Sequence, residues 1–163
     1  MIAAVIFDLD GTLVDIPINY EKLSEEFKRI MKTNNVRPLS DVVSKTNGAT
    51  RKKVFKTWDK TELAILEKIS TKTTGLKIYQ ENADKRKALV TLQGKNIVDA
   101  VLEKFQLSFE VVVTREETLS RADQLQKAIK QLDVGNRNVL FVGNTDGDAT
   151  AASKVGCQFL RVE

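Results

Sequence analysis

The apolar segment Ile2-Ala3-Ala4-Val5-Ile6 runs directly into Phe7-Asp8-Leu9-Asp10-Gly11-Thr12-Leu13. The first part reads as a buried parallel strand. Two carboxylates, one residue apart, therefore stand where that strand ends. In an open α/β sheet, ligands bind outside the carboxyl ends of the strands. On an extended chain Asp8 and Asp10 point the same way, because side chains alternate with period two. Like charges held this close are costly unless a cation or a shared proton relieves them. The pattern predicts a metal site in which one carboxylate can attack and the other can handle protons. A plainer reading of the same residues is a solvated acidic turn at Gly11, with Thr12 capping a helix.

Four further apolar runs follow as strand candidates: Ala88–Leu92, Glu110–Thr114, Asn138–Gly143 and Gln158–Val162. Helical patterns lie between them. Asn96–Phe105 puts Ile97, Val98, Val101, Leu102 and Phe105 on one face. Arg121–Leu132 repeats the spacing with Leu125, Ala128, Ile129 and Leu132, and Asp148–Val155 is a short Ala-rich helix closed by Gly156. This alternation predicts a Rossmann-like α/β core, a parallel five-stranded sheet with helices on both faces. Residues 16–77 differ. They carry amphipathic helical patterns over Asn19–Lys32, Leu39–Val43, Thr50–Trp58 and Thr61–Ser70, and no convincing strand. The expected organisation is a core of residues 1–15 and 78–163, with a small all-helical cap of about four helices, residues 16–77, inserted after the first strand.

The 163 residues suit one domain with a small insert. No apolar run is long enough to cross a membrane, and no signal-peptide pattern follows Met1. Cys157 is the sole cysteine, which excludes an intrachain disulfide and suits a cytoplasmic setting. The chain has no histidine. That rules out Ser-His-Asp and Cys-His catalysis and imidazole zinc sites. Acid–base chemistry near neutral pH then falls to carboxylates, lysines or metal-bound water. Residues 16–77 hold fourteen Lys/Arg against seven Asp/Glu, and the remainder twelve against fifteen. A basic lid over an acidic floor suits an anionic substrate through electrostatic steering. The bland alternative is that Arg51, Lys52, Lys53 and Lys56 solvate a helix face. Trp58 and Cys157 read as packing residues.

The run D-L-D-G-T-L at positions 8–13 resembles the first motif of the haloacid dehalogenase-like superfamily, most of whose members are magnesium-dependent phosphatases. The resemblance covers the whole chain. It implies that Asp8 is the nucleophile and Asp10 the general acid–base. Members that cleave carbon–halogen bonds lack this second aspartate, so Asp10 favours phosphoryl transfer. The resemblance also implies Mg2+ between Asp8, the main-chain carbonyl of Asp10 and the phosphate, with Gly11 and Thr12 in the phosphate-binding turn. Thr91, after the second core strand, matches the Ser/Thr that donates to a phosphate oxygen. Gly94 and Lys95 then open a helix whose N-terminus favours anions. Arg121 matches the basic residue of the third motif but lacks the proline that commonly follows it, and Arg115 is a weaker substitute.

The fourth motif departs from the family pattern G-D-x-x-x-D. Here Gly143 precedes Asn144, and Asp148 matches the second acidic position. An amide oxygen brings no charge, so weaker magnesium binding is expected. Asp148 either ligates the metal or supports it indirectly. Asp146 reads as a loop or capping residue. The implied activity is hydrolysis of a small phosphomonoester through an aspartyl-phosphate. A lid opening at Asp15–Pro17 and Thr71–Gly75 would admit the substrate. The implied partner is a small phosphorylated metabolite, with no membrane or nucleic acid, and a monomer or weak dimer. The alternatives are a phosphoryl-transfer mutase and a catalytically weak member that binds a ligand or partner.

Overall fold

The computed structural model describes all residues, 1–163. Five strands form one parallel sheet in the order β5-β4-β1-β6-β7. They are β1 (Ala4–Phe7), β4 (Arg86–Val90), β5 (Val111–Val113), β6 (Val139–Gly143) and β7 (Gln158–Arg161). All five lie within the runs expected from hydropathy or within two residues of them. The chain leaves β1 for β4 and β5 on one side and for β6 and β7 on the other. The order therefore reverses at β1, and its carboxyl end opens onto the crevice where α/β sheets bind ligands.

Successive β1 side chains go to opposite faces, as the pleat requires. Val5 and Phe7 join one apolar cluster with Ile97, Val98 and Val101 of α5 (Lys95–Phe105). Ala4 and Ile6 join another with Leu125, Ala128 and Ile129 of α6 (Arg121–Leu132) and Ala151 and Ala152 of α7 (Asp146–Val155). Both faces of the sheet are covered by helices, which is why its strands read as continuous apolar runs.

Between β1 and β4 the chain forms a two-residue strand β2 (Val14–Asp15), then α1 (Tyr20–Met31), α2 (Leu39–Ser44) and α3 (Gly48–Leu63). A three-ten turn at Leu66–Lys68, strand β3 (Ser70–Thr71) and α4 (Thr73–Glu81) follow. The expected helices at Thr50–Trp58 and Thr61–Ser70 are not separate. The first extends through Thr61 to Leu63 as α3, because Asp59, Lys60 and Thr61 contain no breaker. The rest of the second stretch is the three-ten turn and β3. The stretch expected to lack strands, residues 16–77, holds β3, which pairs antiparallel with β2 just before that stretch, Val14 opposite Thr71 and Asp15 opposite Ser70. Two residues are too few to show hydropathic alternation, so sequence pattern misses them. The Thr71–Gly75 connection, expected to be flexible, is β3 followed by the first turn of α4. α4 crosses residue 77 without interruption.

The helical insert shares its core with the sheet. Leu23, Phe27, Val43, Val54 and Trp58 belong to the cluster that contains Val5 and Phe7. Phe27 and Trp58 meet edge to face, with centroids 5.6 Å apart.

Candidate active site

Asp8 follows β1 and is almost fully buried, at 3 % exposure. The strand ends before it, so strand periodicity does not set its direction relative to Asp10. A tight turn does. The carbonyl of Leu9 accepts from the N–H groups of Thr12, Leu13 and Val14, and this turn sets both Asp8 and Asp10 in the wall of one cavity. Gly11 makes the turn possible. Its φ is +83°, and a Cβ there would lie 2.2 Å from Asn144 Nδ2.

Burial raises the Asp8 carboxyl to about pH 7, and the charges of Asp148 and Asp10 add to the rise. Arg121 and the Leu9 N–H oppose it. Burial also raises Asp10 to about 6, with Asp15 adding and the Ile16 N–H opposing. That N–H donates to Asp10 Oδ1 at 2.9 Å. Two carboxyl groups thus sit in one cavity with pKa values displaced toward neutrality, the condition for general acid–base work.

Arg121 opens α6, whose N-cap Ser120 accepts from the Asp123 N–H. Its guanidinium reaches three partners at 2.9 Å: Asp8 through Nη2, Asp148 through Nε and Gln124 through Nη1. The fork geometry that distinguishes Arg from Lys is used fully. Asp148 is 2 % exposed. Its second oxygen accepts from the N–H groups of Asn144 (3.1 Å) and Thr145 (3.2 Å), completing a capping box with Thr145. Both Asp148 oxygens are therefore occupied by protein donors. Asn144 instead lines the cavity, and its Oδ1 accepts from Thr12 Oγ1 at 3.5 Å. The same hydroxyl lies 3.3 Å from Asp8 Oδ2. Asp146 is the first residue of α7 rather than its cap, and it pairs with Arg161.

Thr91 is fully buried, and its hydroxyl donates to Gln93 Oε1 at 2.6 Å. Gln93 lines the cavity and Thr91 does not. The expected anion site at the start of α5 is taken by the protein's own carboxylates. The Lys95 N–H donates to Glu116 at 2.9 Å and the Gly94 N–H to Glu62 at 3.3 Å. Arg115 is turned away from Asp8 and pairs with Asp59 and Glu62 of α3.

The cavity has a volume of about 380 Å³, at the small end for metabolite sites. The helical insert supplies Tyr20, Arg37, Pro38, Leu39, Ser40 and Trp58 to its wall. Sequence reasoning did not single out these residues or Gln93 as cavity-lining, nor the buried Gln124 as a partner of Arg121. Gln124 had one available signal, its position three residues after Arg121 on one helix face. Its Nε2 donates to the carbonyls of Thr91 (2.8 Å), just past β4, and Thr118 (3.0 Å), in the connection before α6, tying both to Arg121.

The haloacid dehalogenase-like hydrolase family model matches residues 5–162. The chain belongs to the haloacid dehalogenase-like hydrolases. A Clostridium perfringens protein with the provisional name pyrophosphatase PpaX is 27% identical over 181 residues, covering 97% of this chain and 82% of that one. The crystal structure of CbbY from Rhodobacter sphaeroides, in complex with phosphate, superposes with a TM-score of 0.70 at 18% identity. That match covers 100% of this chain and 88% of CbbY. A provisionally named phosphoglycolate phosphatase from Lactobacillus plantarum gives a TM-score of 0.72 at 18% identity, covering 98% and 86%. Likeness at this identity speaks for the fold alone, because one fold hosts many chemistries. No helix is long and apolar enough to cross a membrane.

Proposed function

We propose that the chain is a magnesium-dependent phosphatase acting on a small phosphomonoester. The observation that carries this reading is the pair Asp8 and Asp10 in one cavity, with Arg121 bonded to Asp8. Asp8 attacks phosphorus and forms an aspartyl-phosphate, splitting one difficult hydrolysis into two easier steps. Asp10 gives its proton to the leaving oxygen, then takes one from the water that attacks the acyl phosphate. Arg121 orients Asp8 and neutralises charge on the phosphoryl oxygens. Gly11 and Thr12 shape the turn beneath the phosphate. The Thr91 hydroxyl reaches a phosphate oxygen only by leaving Gln93.

The donors fit Mg2+, which takes hard oxygen ligands. Asp8, the Asp10 carbonyl and the Asn144 amide oxygen are the ligands in this reading, and Asp148 supports them by holding Arg121 and the Asn144 backbone. Bound there, the ion would offset the negative charge that otherwise repels nucleophile from substrate. No three acidic groups converge on one point. That supports a second reading, a member that binds metal weakly and turns over slowly. Residues 16–77 are assigned as a cap over the core of residues 1–15 and 78–163. The one half-buried cysteine, Cys157, supports a reducing, cytoplasmic setting.

The test is hydrolysis of p-nitrophenyl phosphate with Mg2+ and with EDTA, for wild type and Asp8→Asn. We expect magnesium-dependent turnover that falls roughly a thousand-fold or more in the variant while its melting curve stays cooperative. Comparable turnover in the two proteins removes Asp8 as nucleophile.

A further inference from the structure

Residues 16–77 hold fourteen Lys and Arg, and Arg37 is the only one of them in the cavity wall. Its backbone N–H donates to Asn35 Oδ1, whereas its guanidinium has no partner in the protein. Glu21 and Glu25 share a surface hollow with it, but Glu25 pairs with Lys28 and neither bonds to Arg37. The wall's other cation, Arg121, is committed to Asp8, Asp148 and Gln124. The remaining basic side chains of the insert lie outside the wall. Arg51, for one, donates to the carbonyls of Val43 and Ser44.

Gln93 brings a second unused donor from the core side. The residue is 5% exposed. Its backbone N–H donates to Thr91 Oγ1 at 3.1 Å, and the Thr91 hydroxyl donates to its Oε1 at 2.6 Å. That pairing fixes the amide and leaves Nε2 without a partner. The wholly enclosed polar atoms that lack one are Trp58 Nε1, Glu62 Oε2 and Arg115 Nε, and Gln93 Nε2 is not among them. It therefore opens onto the cavity that its residue lines. The Tyr20 and Ser40 hydroxyls, in the same wall, also have no protein partner. The wall thus offers several free donors, and Arg37 is its one cation without an anion.

In the reaction proposed above, Arg121 and the turn at Gly11 and Thr12 serve the phosphoryl group. The guanidinium of Arg37 and the amide of Gln93 are left for the leaving group. A guanidinium fork matches a carboxylate or a phosphate. A site built to hydrogen-bond a group rejects the analogue that lacks it, because its own donors are then desolvated without partners. We propose that Arg37 and Gln93 are specificity-determining residues that hold a second anion on the leaving group. The substrate is then a compact phosphomonoester that carries a carboxylate or a second phosphate. The cavity volume of about 380 Å³ keeps that anion within a few atoms of the phosphorus. This rests on the cavity being the phosphatase site, and a binding measurement separates the two readings.

The test uses phosphate monoesters that differ only at the far end of a three-carbon chain. They are those of hydroxypropanoate, propanediol and aminopropanol, with propanediol bisphosphate as a fourth compound. Phosphate release with Mg2+ gives kcat/KM. We expect wild type to prefer the carboxylate ester or the bisphosphate to the neutral ester by about ten-fold or more, with the ammonium ester poorest. Whichever anion is preferred names the second group. Arg37→Gln should lose that preference and stay within about two-fold of wild type on the neutral ester, while Arg37→Lys retains part of it. Lys53→Gln, an equal charge change outside the wall, should leave every ratio within about two-fold, which separates contact from steering. Gln93→Glu keeps the bond from Thr91 but replaces the free donor with an anion. It should lower the carboxylate ester by about ten-fold relative to the ammonium ester. No preference in wild type overturns the proposal, as does an unchanged ratio in Gln93→Glu. A loss in Arg37→Gln that is equal on charged and neutral esters also overturns it, since Arg37 then grips the transferred phosphoryl group. If wild type hydrolyses neither these esters nor p-nitrophenyl phosphate, the functional reading fails alone. Calorimetric titration of the intact esters then decides the subsite. An anionic ester bound about ten-fold tighter than the neutral one in wild type, but not in Arg37→Gln, supports it. Equal or absent binding refutes it.

Discussion

Asn144→Asp places a third carboxylate beside Asp8 in a site whose one paired cation, Arg121, is already shared with Asp148. The substitution is nearly isosteric, so contact with Gly11 is kept. Asn144 Oδ1 and Asp8 Oδ2 are linked through Thr12 Oγ1 by distances of 3.5 and 3.3 Å. At a separation of roughly 6 Å and an effective dielectric constant of about 20, two negative charges repel by about 3 kcal/mol. That is about 2 pK units on Asp8. Asp8 already stands near 7, so part of the repulsion is escaped by protonation. In EDTA the folded variant then loses about 1 kcal/mol at pH 7.5, where protonation is cheap. It loses about 2 kcal/mol at pH 9, where wild-type Asp8 is ionised. For a chain of this length these are melting-temperature decreases of about 3 °C and about 7 °C. Magnesium should invert the order. A charged ligand tightens binding roughly 10- to 100-fold, worth up to about 2.7 kcal/mol at saturating metal. Thermal melts at both pH values, in EDTA and across a magnesium titration, check the argument. Equal melting temperatures in EDTA at both pH values, or an unchanged magnesium midpoint, would show that position 144 does not face Asp8.

Two other perturbations follow from the same geometry. Gly11→Ala imposes a side chain at φ +83° and against the Asn144 amide, so we expect a loss of about 2 kcal/mol or more in denaturant melts and a weaker magnesium response. Glu62 is raised to about 7, chiefly by burial and against the pull of Arg115. A raised acid holds its proton in the folded state, so its contribution is present in full below about pH 4.5 and is lost as pH rises through 7. The stability of wild type minus that of Glu62→Gln should fall by about 3 kcal/mol across that window, and a flat difference would show that Glu62 is not buried uncompensated.

The sheet was legible because its inner strands β1, β4 and β6 are covered on both faces. Continuous apolar runs such as Val139–Val142 announce that burial without help from distant residues. α6 was legible to the residue, since its Ser cap and apolar spacing are local. The pair β2 and β3 was not, because two residues gain their hydrogen bonds only from a partner over fifty positions away. Asp8, Asp10, Arg121 and Asn144 were named as site residues from local motifs, and the fold brings all four to one cavity wall. Thr91 was named on the same grounds, but its hydroxyl is turned to Gln93.

Local chemistry along the chain determined the order of elements, the apolar faces and the carboxylate pair, because each depends on residues a few positions apart. Only the tertiary structure decided the rest. It turned Arg121 rather than Arg115 onto Asp8, closed both oxygens of Asp148, and gave the α5 N-terminus to Glu62 and Glu116. Those choices pair charges across long stretches of sequence. Which cation meets which carboxylate is settled by the low-dielectric interior, where an unpaired charge is costly, and no local pattern carries that information.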